Sequence, residues 1–447
     1  MEQDLTTGSV FKRIVYFSLP YLLSYFLQTL YGMADLFITG QFYGVDTITA
    51  VSNGSQIMHM MTVIIVGLAM GTTVTIGHSV GAKCMEQAEK IIGNTITLFM
   101  GIAVAFTVIL VVLVKPIVVL IATPQEAVAG TSIYLLICFI GIPFITAYNI
   151  ISSIFRGLGD SKSPMYFIGI ACVMNIALDY LFMGAFHMGA AGAALGTVCA
   201  QTFSVLVTLW VIRRRKTGIS LKKSDFKIER AVIGQVLKIG IPVALQDGFI
   251  QVAFMIITAI ANSRGVSDAA AVGVVEKVIS ALFIVPSSML ATVSALSAQN
   301  LGAGKEKRAT DTLRYATVIT TIYGMIVAVL IQFIAENVVG IFTSDTTVVT
   351  MGSAYIRSYI WDCIFAGIHF SFSGYFAACG KSYIGFLHNI ISITFVRVPG
   401  SYLASKYFTD TLYPMGLAAP AGSLVSVAIC VTAFILLKRK SRVAQTA

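Results

Sequence analysis

The sequence predicts an all-α polytopic membrane protein with twelve transmembrane helices, arranged as two six-helix lobes that are related by a parallel internal repeat. The first observation is composition: 57% of the 447 residues are hydrophobic and only 11% are charged, whereas soluble domains average about 25% charged residues. The second is a series of apolar runs about 20 residues long, the length that crosses a bilayer as a helix. The runs are continuous rather than alternating, which excludes a membrane β-barrel.

Twelve stretches have the length and composition of a membrane-spanning helix. Their expected limits are 14–38, 48–76, 91–114, 131–154, 164–184, 188–212, 234–261, 269–296, 312–335, 352–377, 383–405 and 414–437.

The positive charges predict the orientation of these helices. The net charge of +10 does not indicate nucleic-acid binding, because the basic residues lie between the apolar runs and form no single patch. With a cytoplasmic N-terminus, 24 of the 30 Lys and Arg residues fall at cytoplasmic ends and loops, as the positive-inside rule requires. We therefore expect a multi-pass protein of the cell membrane with both termini in the cytoplasm. The remaining six are three outside, Lys115, Arg264 and Lys406, and three within helices, Lys277, Arg357 and Arg397.

One long charged interval, RRRKTGISLKKSDFKIER at 213–230, divides the chain nearly in half. We expect an N-terminal six-helix lobe at 1–212, a cytoplasmic linker at 213–233 and a C-terminal six-helix lobe at 234–447. The linker is expected to be solvated beside anionic lipid headgroups.

The third observation is the repeat itself. HSVGAK at 78–83 corresponds to AQNLGAGK at 298–305, and RGLGDSK at 156–162 corresponds to AACGKSY at 377–383, at one offset of 221 residues. Pro20 and Pro242 align within one residue of that offset. Because each copy holds an even number of helices, the copies have the same orientation and predict two lobes around a cavity, the architecture of a transporter.

Acids inside membrane helices are the candidate functional groups, since an acid at the helix centre costs about 2.5–3.5 kcal/mol even on lenient insertion scales. In the fifth helix, Asn175 and Asp179 are spaced i, i+4 and share a face with one another. With Asp35 of the first helix they can bind a hard cation such as Na⁺ or, kept from water, carry protons. The alternative is that they only form hydrogen bonds to neighbouring helices. The acids within helices are Asp35, Asp179, Asp247, Glu276 and Asp362.

The C-terminal lobe lacks this combination, because Ile257 and Val396 stand near the repeat positions of Asp35 and Asn175. An ion site is therefore expected in the N-terminal lobe alone. In the C-terminal lobe, Glu276 adjoins Lys277 and Asp362 shares its helix with Arg357, so each acid has either a structural pairing or a substrate role. The possible substrate-cavity residues are Gln246, Asp247, Gln251, Glu276 and Asp362.

Enzymatic activity is not expected. The chain shows no Ser-His-Asp order, no HExxH motif and no nucleotide-binding domain. The seven cysteines include no CxxC pair, so neither a disulfide framework nor a metal site of that kind is expected, and no cofactor is expected beyond a coupling ion. A membrane enzyme such as a lipid transferase would need catalytic groups at one membrane face, whereas these acids lie at depth.

The chain resembles the multidrug and toxic-compound extrusion (MATE) family, and the resemblance covers essentially all twelve helices. The resemblance rests on LPYLL and YGMADLFITGQ in the first helix, SVGAK and QNLGAGK after helices two and eight, FRGLGDSKSP after helix four, and NIALD in helix five. It implies export of bulky, often cationic organic compounds, coupled to Na⁺ or H⁺, by alternating access of two six-helix lobes.

The resemblance also implies roles for individual residues. A bend in the first helix is implied at Pro20, since proline removes a backbone hydrogen bond. One branch of the family has a Glu in helix seven, whereas here the nearest acid is Asp247, displaced by about a turn. The implied cation-coupling residues are Asp35, Asn175, Asp179, Thr197 and Tyr134, of which Asp35, Asn175 and Asp179 would be metal ligands under Na⁺ coupling.

The sequence therefore predicts a monomeric antiporter with small organic cations as substrates, membrane lipid around it and no nucleic-acid partner. Whether Na⁺ or H⁺ is the coupling ion stays open. The alternative function is a flippase for a lipid-linked saccharide, which would need a cavity rich in Arg and Lys for a pyrophosphate. Only Lys277, Arg357 and Arg397 are available at depth, against five acids.

Overall fold

The computed structural model describes residues 4–214 and 220–446, with side chains up to residue 439, and these residues form helices and turns without strands. We number the helices α1–α12 and let consecutive segments of one interrupted helix share a number. The bounds are α1 Val10–Phe42, α2 Val45–Gly81, α3 Met85–Val112 with Val114–Leu120, α4 Val128–Ile140 with Ile142–Gly157, α5 Lys162–Asp179 with Tyr180–Ala185, α6 Gly189–Arg214, α7 Arg230–Asn262, α8 Val266–Leu282 with Ile284–Gly302, α9 Glu306–Gly340, α10 Thr346–Tyr359 with Asp362–Ala378, α11 Ser382–Ser392 with Ile393–Arg397 and Val398–Tyr407, and α12 Tyr413–Gly416 with Ala418–Thr446.

These helices coincide one for one with the twelve expected stretches. Most extend beyond the expected limits, as in α9, which runs from Glu306 to Gly340 instead of 312–335, because polar residues continue a helix past the apolar zone that hydropathy detects. In the described residues, eight helices are long and apolar enough to cross a membrane, and a bent pair in α4 makes nine. The other three are α1, α10 and α11; α10 is interrupted, and its two segments of 14 and 17 residues are each shorter than the helices counted.

Interruptions of the helices support the internal repeat. The segments of α4 meet at Gly141 with a bend of 51°, and α10 is interrupted at Ile360 and Trp361. The two breaks are separated by close to the 221-residue offset of the repeat. Two segments have π-helical geometry, Tyr180–Ala185 directly after Asp179 and Ile393–Arg397 in α11. Such segments occur often at functional sites.

The chain forms two compact units, and the division within α7 falls between Ala244 and Leu245. The first unit includes residues 15–244, so it contains the first half of α7. That half packs closely on α2: a Cβ added at Gly67 would come within 2.7 Å of the Ala244 Cα atom, and one added at Gly71 within 3.0 Å of the Gly240 backbone nitrogen. Small residues at every fourth position allow two helix backbones to approach this closely.

The charged linker is only partly as expected. Residues 215–219 lie outside the described residues, and the segment that follows is exposed as expected except at Asp225, which is buried where the segment docks on α3. The Asn94 side chain donates a hydrogen bond to the Asp225 carbonyl oxygen at 3.0 Å and accepts one from the Glu229 backbone nitrogen at 2.7 Å. Thr97 donates to the Phe226 carbonyl oxygen at 2.9 Å. Hydropathy does not reveal this docking, which depends on the buried side chain of Asn94.

Candidate ion-binding site

Three polar residues predicted from the sequence meet inside the first unit. Asp35 of α1 is 3% exposed, Asn175 of α5 is 2% exposed and Asp179 of α5 is fully buried. Thr197 of α6 is the fourth member, and its hydroxyl lies 3.4 Å from Asp35 Oδ2 as a hydrogen-bond donor. Three helices therefore contribute to one buried polar cluster, which we call the N-half cluster: Asp35, Asn175, Asp179 and Thr197.

The two carboxyl groups of this cluster interact with each other across the α1–α5 boundary. An ionised carboxylate only accepts hydrogen bonds, so two ionised groups cannot bond to one another. Two unpaired negative charges buried at membrane depth are also costly. The pair therefore requires a proton or a bound cation, and this is the chemistry that a coupling site needs.

A residue that sequence reasoning missed makes room for this pair. A Cβ atom added at Gly196 of α6 would overlap Asp179 Oδ1, so only glycine lets the carboxyl group lie against the α6 backbone. The signal was present in the GAALGTV sequence of α6, where Gly196 directly precedes Thr197. Glycine is common in membrane helices, and the sequence alone did not distinguish this one.

A second missed residue is Gln201 of α6. It is 6% exposed and lies one helical turn from Thr197. Its side chain lines a narrow pocket that also contacts Asn175 and Thr197 of the N-half cluster. The pocket is lined by Tyr31, Ala171, Asn175, Thr197, Ala200 and Gln201.

Tyr134 lies beside the cluster but is directed to a different partner. Its hydroxyl group is 3.1 Å from the Ser55 hydroxyl of α2, and its ring packs where a Cβ atom of residue 54 would stand, so Gly54 leaves room for it. Tyr134 remains within electrostatic range of Asp35. Pro20 lies inside α1, which continues as one helix through it, and the Ser24 hydroxyl donates a hydrogen bond to the Pro20 carbonyl oxygen at 2.8 Å.

The second unit contains its own buried charged cluster, but with partners that differ from the expected ones. Lys277 is exposed, whereas Glu276 accepts a hydrogen bond from the Thr258 hydroxyl at 3.1 Å. Glu276 therefore does not pair with Lys277, which was one of the two alternatives left open for this acid, because successive residues of a helix point about 100° apart. Glu276 instead lies within electrostatic range of Arg397.

Asp362 likewise does not pair with Arg357, which forms a salt bridge of 3.3 Å with Glu336 of α9. Asp362 is 1% exposed and interacts with Arg397 of α11. The Arg397 guanidinium also donates to the Tyr359 hydroxyl and lies 5.0 Å from the ring centre of Phe254. Arg397 was placed within a helix by the sequence, but its role as the common partner of two acids was missed.

The remaining substrate-cavity candidates occupy two faces of α7. Gln246 is buried against α11, where a Cβ atom added at Gly385 would approach its side-chain oxygen at 2.7 Å. Asp247 and Gln251 are half-buried and spaced i, i+4. Gln246 therefore packs between helices, and only Asp247 and Gln251 share a face that could line a cavity.

The described residues contain no group of three or more His, Cys, Asp or Glu side chains placed to hold a metal ion. Any metal cation at the N-half cluster would accordingly rely on amide and hydroxyl oxygens in addition to its two carboxylates. Such oxygen ligands suit hard cations.

Comparison of the sequence with known proteins identifies the family to which this architecture belongs. The MatE family model matches residues 20–181 and 242–403, two segments that begin at Pro20 and Pro242. The chain is 30% identical over 415 residues to the "Probable multidrug resistance protein YpnP" of Bacillus subtilis (strain 168), covering 93% of each protein. It is 23% identical over 374 residues to the "Multidrug export protein MepA" of Staphylococcus aureus (strain MSSA476), covering 83% of this chain and 82% of that one.

Solved structures show the same fold. The "Outward-facing conformation of a multidrug resistance MATE family transporter of the MOP superfamily" has a TM-score of 0.91 at 20% identity and covers 100% of this chain and 99% of its own. The "Crystal structure of MATE in complex with MaL6" has a TM-score of 0.90 at 20% identity and covers 99% of both chains.

Twelve helices in two repeated halves, with acids buried at membrane depth, define a polytopic membrane transporter. The chain belongs to the MatE family, the multidrug and toxic-compound extrusion transporters. The resemblance inferred from its motifs and the fold class inferred from its composition and repeat are both confirmed.

Proposed function

We propose that the protein is a cation-coupled antiporter that exports multidrug-type, mainly cationic organic compounds by alternating access. The observation that carries the proposal is the buried pair Asp35 and Asp179, which requires a proton or a cation and therefore changes its charge balance when the coupling ion leaves. The names of YpnP and MepA as multidrug resistance and export proteins support the substrate class.

In this cycle, H⁺ or Na⁺ binds the N-half cluster from outside and is released inside, while the substrate moves in the opposite direction. Pro20 is the proposed hinge of α1, fifteen residues before Asp35 and on the same helix. Asp247 and Gln251 are the proposed contacts for a cationic substrate. The proposal also places the protein in the cell membrane as a monomer with both termini cytoplasmic, on the basis of its distribution of Lys and Arg.

A lipid-linked saccharide flippase is the alternative within transport. Such a substrate carries a pyrophosphate, which needs uncommitted guanidinium or ammonium groups. Arg397, a half-buried cation of the second unit, lies within electrostatic range of Asp362 and Glu276 and donates to the Tyr359 hydroxyl. Its charge is therefore already balanced by acids, which favours the antiporter.

The test uses purified protein in proteoliposomes with a fluorescent organic cation. A Na⁺ gradient at equal pH and a pH gradient at equal Na⁺ are imposed in separate experiments. We expect at least one gradient to drive accumulation of the dye, and we expect Asp46→Asn, which changes an exposed acid of the same half, to transport like the wild type. Translocation of a fluorescent lipid-linked saccharide, with no dye movement under either gradient, would overturn the proposal in favour of the flippase.

A further inference from the structure

The linker segment 220–229 crosses α3 in direct backbone contact. A Cβ atom added at Gly93 would overlap the Asp225 carbonyl oxygen, so only glycine allows the linker to approach α3 this closely. Thr97, one helical turn further along α3, donates a hydrogen bond to the Phe226 carbonyl oxygen at 2.9 Å. The linker is therefore fixed against a single turn of α3.

This turn of α3 lies at the beginning of its apolar span. Lys90 is the last charged residue of α3 before the uncharged run at 91–114. A helix rises 1.5 Å per residue, so the turn from Gly93 to Thr97 lies about 4–11 Å from Lys90 along the helix axis. Interfacial protein segments insert their apolar side chains to a similar depth, about 5–10 Å into the boundary between lipid headgroups and acyl chains. The contact with α3 therefore holds the linker at the level of the bilayer interface.

The exposed side chains of the segment are of the two kinds that such an interface accommodates. Apolar side chains can enter the acyl-chain boundary, whereas a lysine extends its ammonium group to the headgroups and keeps its carbon chain along apolar surface. Phe226 is 39% exposed and Ile228 is 56% exposed. The exposed residues of both kinds are Leu221, Phe226 and Ile228, which are apolar, and Lys222, Lys223 and Lys227, which are basic.

The acids around the segment already have partners. Asp225 accepts a hydrogen bond from the Lys222 backbone nitrogen at 2.7 Å, and Glu89 of α3 accepts one from the linker backbone at 2.7 Å. Glu229 lies 3.9 Å from the Lys90 ammonium group. Within the described part of the chain, the three exposed lysines of the linker form no salt bridge. Their positive charge is therefore left for an external anion, and basic residues beside a bilayer attract anionic lipids.

We propose that residues 221–228 form a membrane-interface anchor that binds anionic phospholipids. Lys222, Lys223 and Lys227 contact the headgroup phosphates, and Leu221, Phe226 and Ile228 enter the boundary of the acyl chains beside them. Because the Asn94 side chain accepts a hydrogen bond from the Glu229 backbone nitrogen directly before α7, the bound lipid stabilises the position at which α7 begins. The inference is independent of the coupling ion and of the transported substrate.

The test measures which lipid lies next to position 226. Phe226→Trp is introduced into the full-length protein after its two native tryptophans are replaced by Trp210→Phe and Trp361→Phe. The protein is reconstituted into bilayers of phosphatidylcholine and phosphatidylglycerol, of which one or the other is brominated so that it quenches tryptophan fluorescence on contact. We expect quenching by both lipids, with a preference for phosphatidylglycerol of at least about fivefold, the factor that corresponds to one lysine near an anionic surface.

Charge-neutral variants then identify the groups that bind the lipid. The linker variant is expected to lose the preference for phosphatidylglycerol while quenching by phosphatidylcholine remains. The control variant removes the same number of charges at exposed lysines outside the linker and is expected to keep the preference. The linker variant carries Lys222→Gln, Lys223→Gln and Lys227→Gln, and the control variant carries Lys12→Gln, Lys83→Gln and Lys307→Gln.

A second control places the only tryptophan at Phe333 of α9, which is 79% exposed. Phe333→Trp is expected to be quenched by both lipids without a preference for phosphatidylglycerol, which also shows that the protein is folded and inserted. If neither lipid quenches Phe226→Trp, the segment faces water or a soluble acidic partner, and the inference is overturned. Equal quenching by the two lipids, or an unchanged preference in the linker variant, would overturn it as well.

Discussion

Oδ1 of Asp179 on α5 lies against the backbone of α6 at Gly196, in the place where any other residue would put its Cβ atom. This contact joins two helices of the first unit without a hydrogen bond and holds a buried carboxyl group beside Asp35. The site therefore depends on a residue that has no side chain.

Gly196→Ala is the first prediction. The added methyl group must displace the Asp179 carboxyl group, and overpacking of this kind costs about 1–3 kcal/mol. We expect loss of ion-driven dye transport, with a smaller fall in the thermal unfolding midpoint. Gly101→Ala on α3 is the matched control, because its Cβ atom would meet nothing within 4 Å. Wild-type transport by Gly196→Ala would show that the position of Asp179 does not matter.

Arg397 and Asp362 provide the second prediction. Arg397→Met removes the positive charge that lies within electrostatic range of both Asp362 and Glu276, and we expect the free energy of unfolding to fall by about 0.5–3 kcal/mol, the usual range for a destabilising substitution. We expect the double variant Arg397→Met, Asp362→Asn to recover part of this loss, as measured by unfolding in detergent. Arg357→Met breaks a largely exposed pair with Glu336 and should cost at most about 1 kcal/mol. Additive effects of the two buried substitutions would contradict the pairing.

The third prediction concerns Arg264, at the turn between α7 and α8. Its guanidinium group forms a salt bridge of 2.6 Å with Asp268 and donates to the carbonyl oxygens of Ser405 and Phe408 at 2.9 and 3.0 Å. Lysine keeps the charge but cannot reproduce this fork of donors. We expect Arg264→Lys to lower the free energy of unfolding by about 2 kcal/mol.

The control for Arg264→Lys is Lys115→Gln, at an exposed position, where a change within about 0.5 kcal/mol is expected. If Arg264→Lys has the same unfolding midpoint as the wild type, the salt bridge with Asp268 alone would account for the stabilisation, and the hydrogen bonds to the carbonyl oxygens would be dispensable.

Asn94 gives the fourth prediction, because its side chain bonds to both Asp225 and Glu229 of the linker. Asn94→Ala leaves these backbone groups unpartnered and should release residues 220–229 from α3. We expect faster hydrogen exchange and faster tryptic cleavage in that segment, with Asn337→Ala, at an exposed position, as the control. Equal exchange in Asn94→Ala and the wild type would mean that Thr97 and the other contacts suffice.

The twelve helices and the repeat could be predicted because membrane insertion imposes one simple rule, an apolar run of about 20 residues. Asp35, Asn175 and Asp179 could be selected for a related reason: polar groups are costly at membrane depth. The structure places these residues and Thr197 together.

The remaining features of the site and of the linker depend on contacts between helices, which the amino-acid sequence alone does not reveal. The partner of Asp362 is Arg397, on another helix, and not Arg357, five residues earlier on its own helix. Gly196 and Gln201 are residue types that are common enough in helices to attract no notice in the sequence. Their surroundings, Asp179 against Gly196 and the pocket beside Gln201, are visible only in the folded structure. The docking of the linker depends likewise on Asn94, which is buried by tertiary packing.

The most direct test of the central claim is dye transport by Asp35→Asn in proteoliposomes under the gradient that drives the wild type. Asparagine keeps the size of the side chain but cannot carry the charge that a coupling ion balances. The account predicts that Asp35→Asn inserts and purifies like the wild type and shows no gradient-driven accumulation of the dye. Transport by Asp35→Asn at the wild-type rate would contradict it.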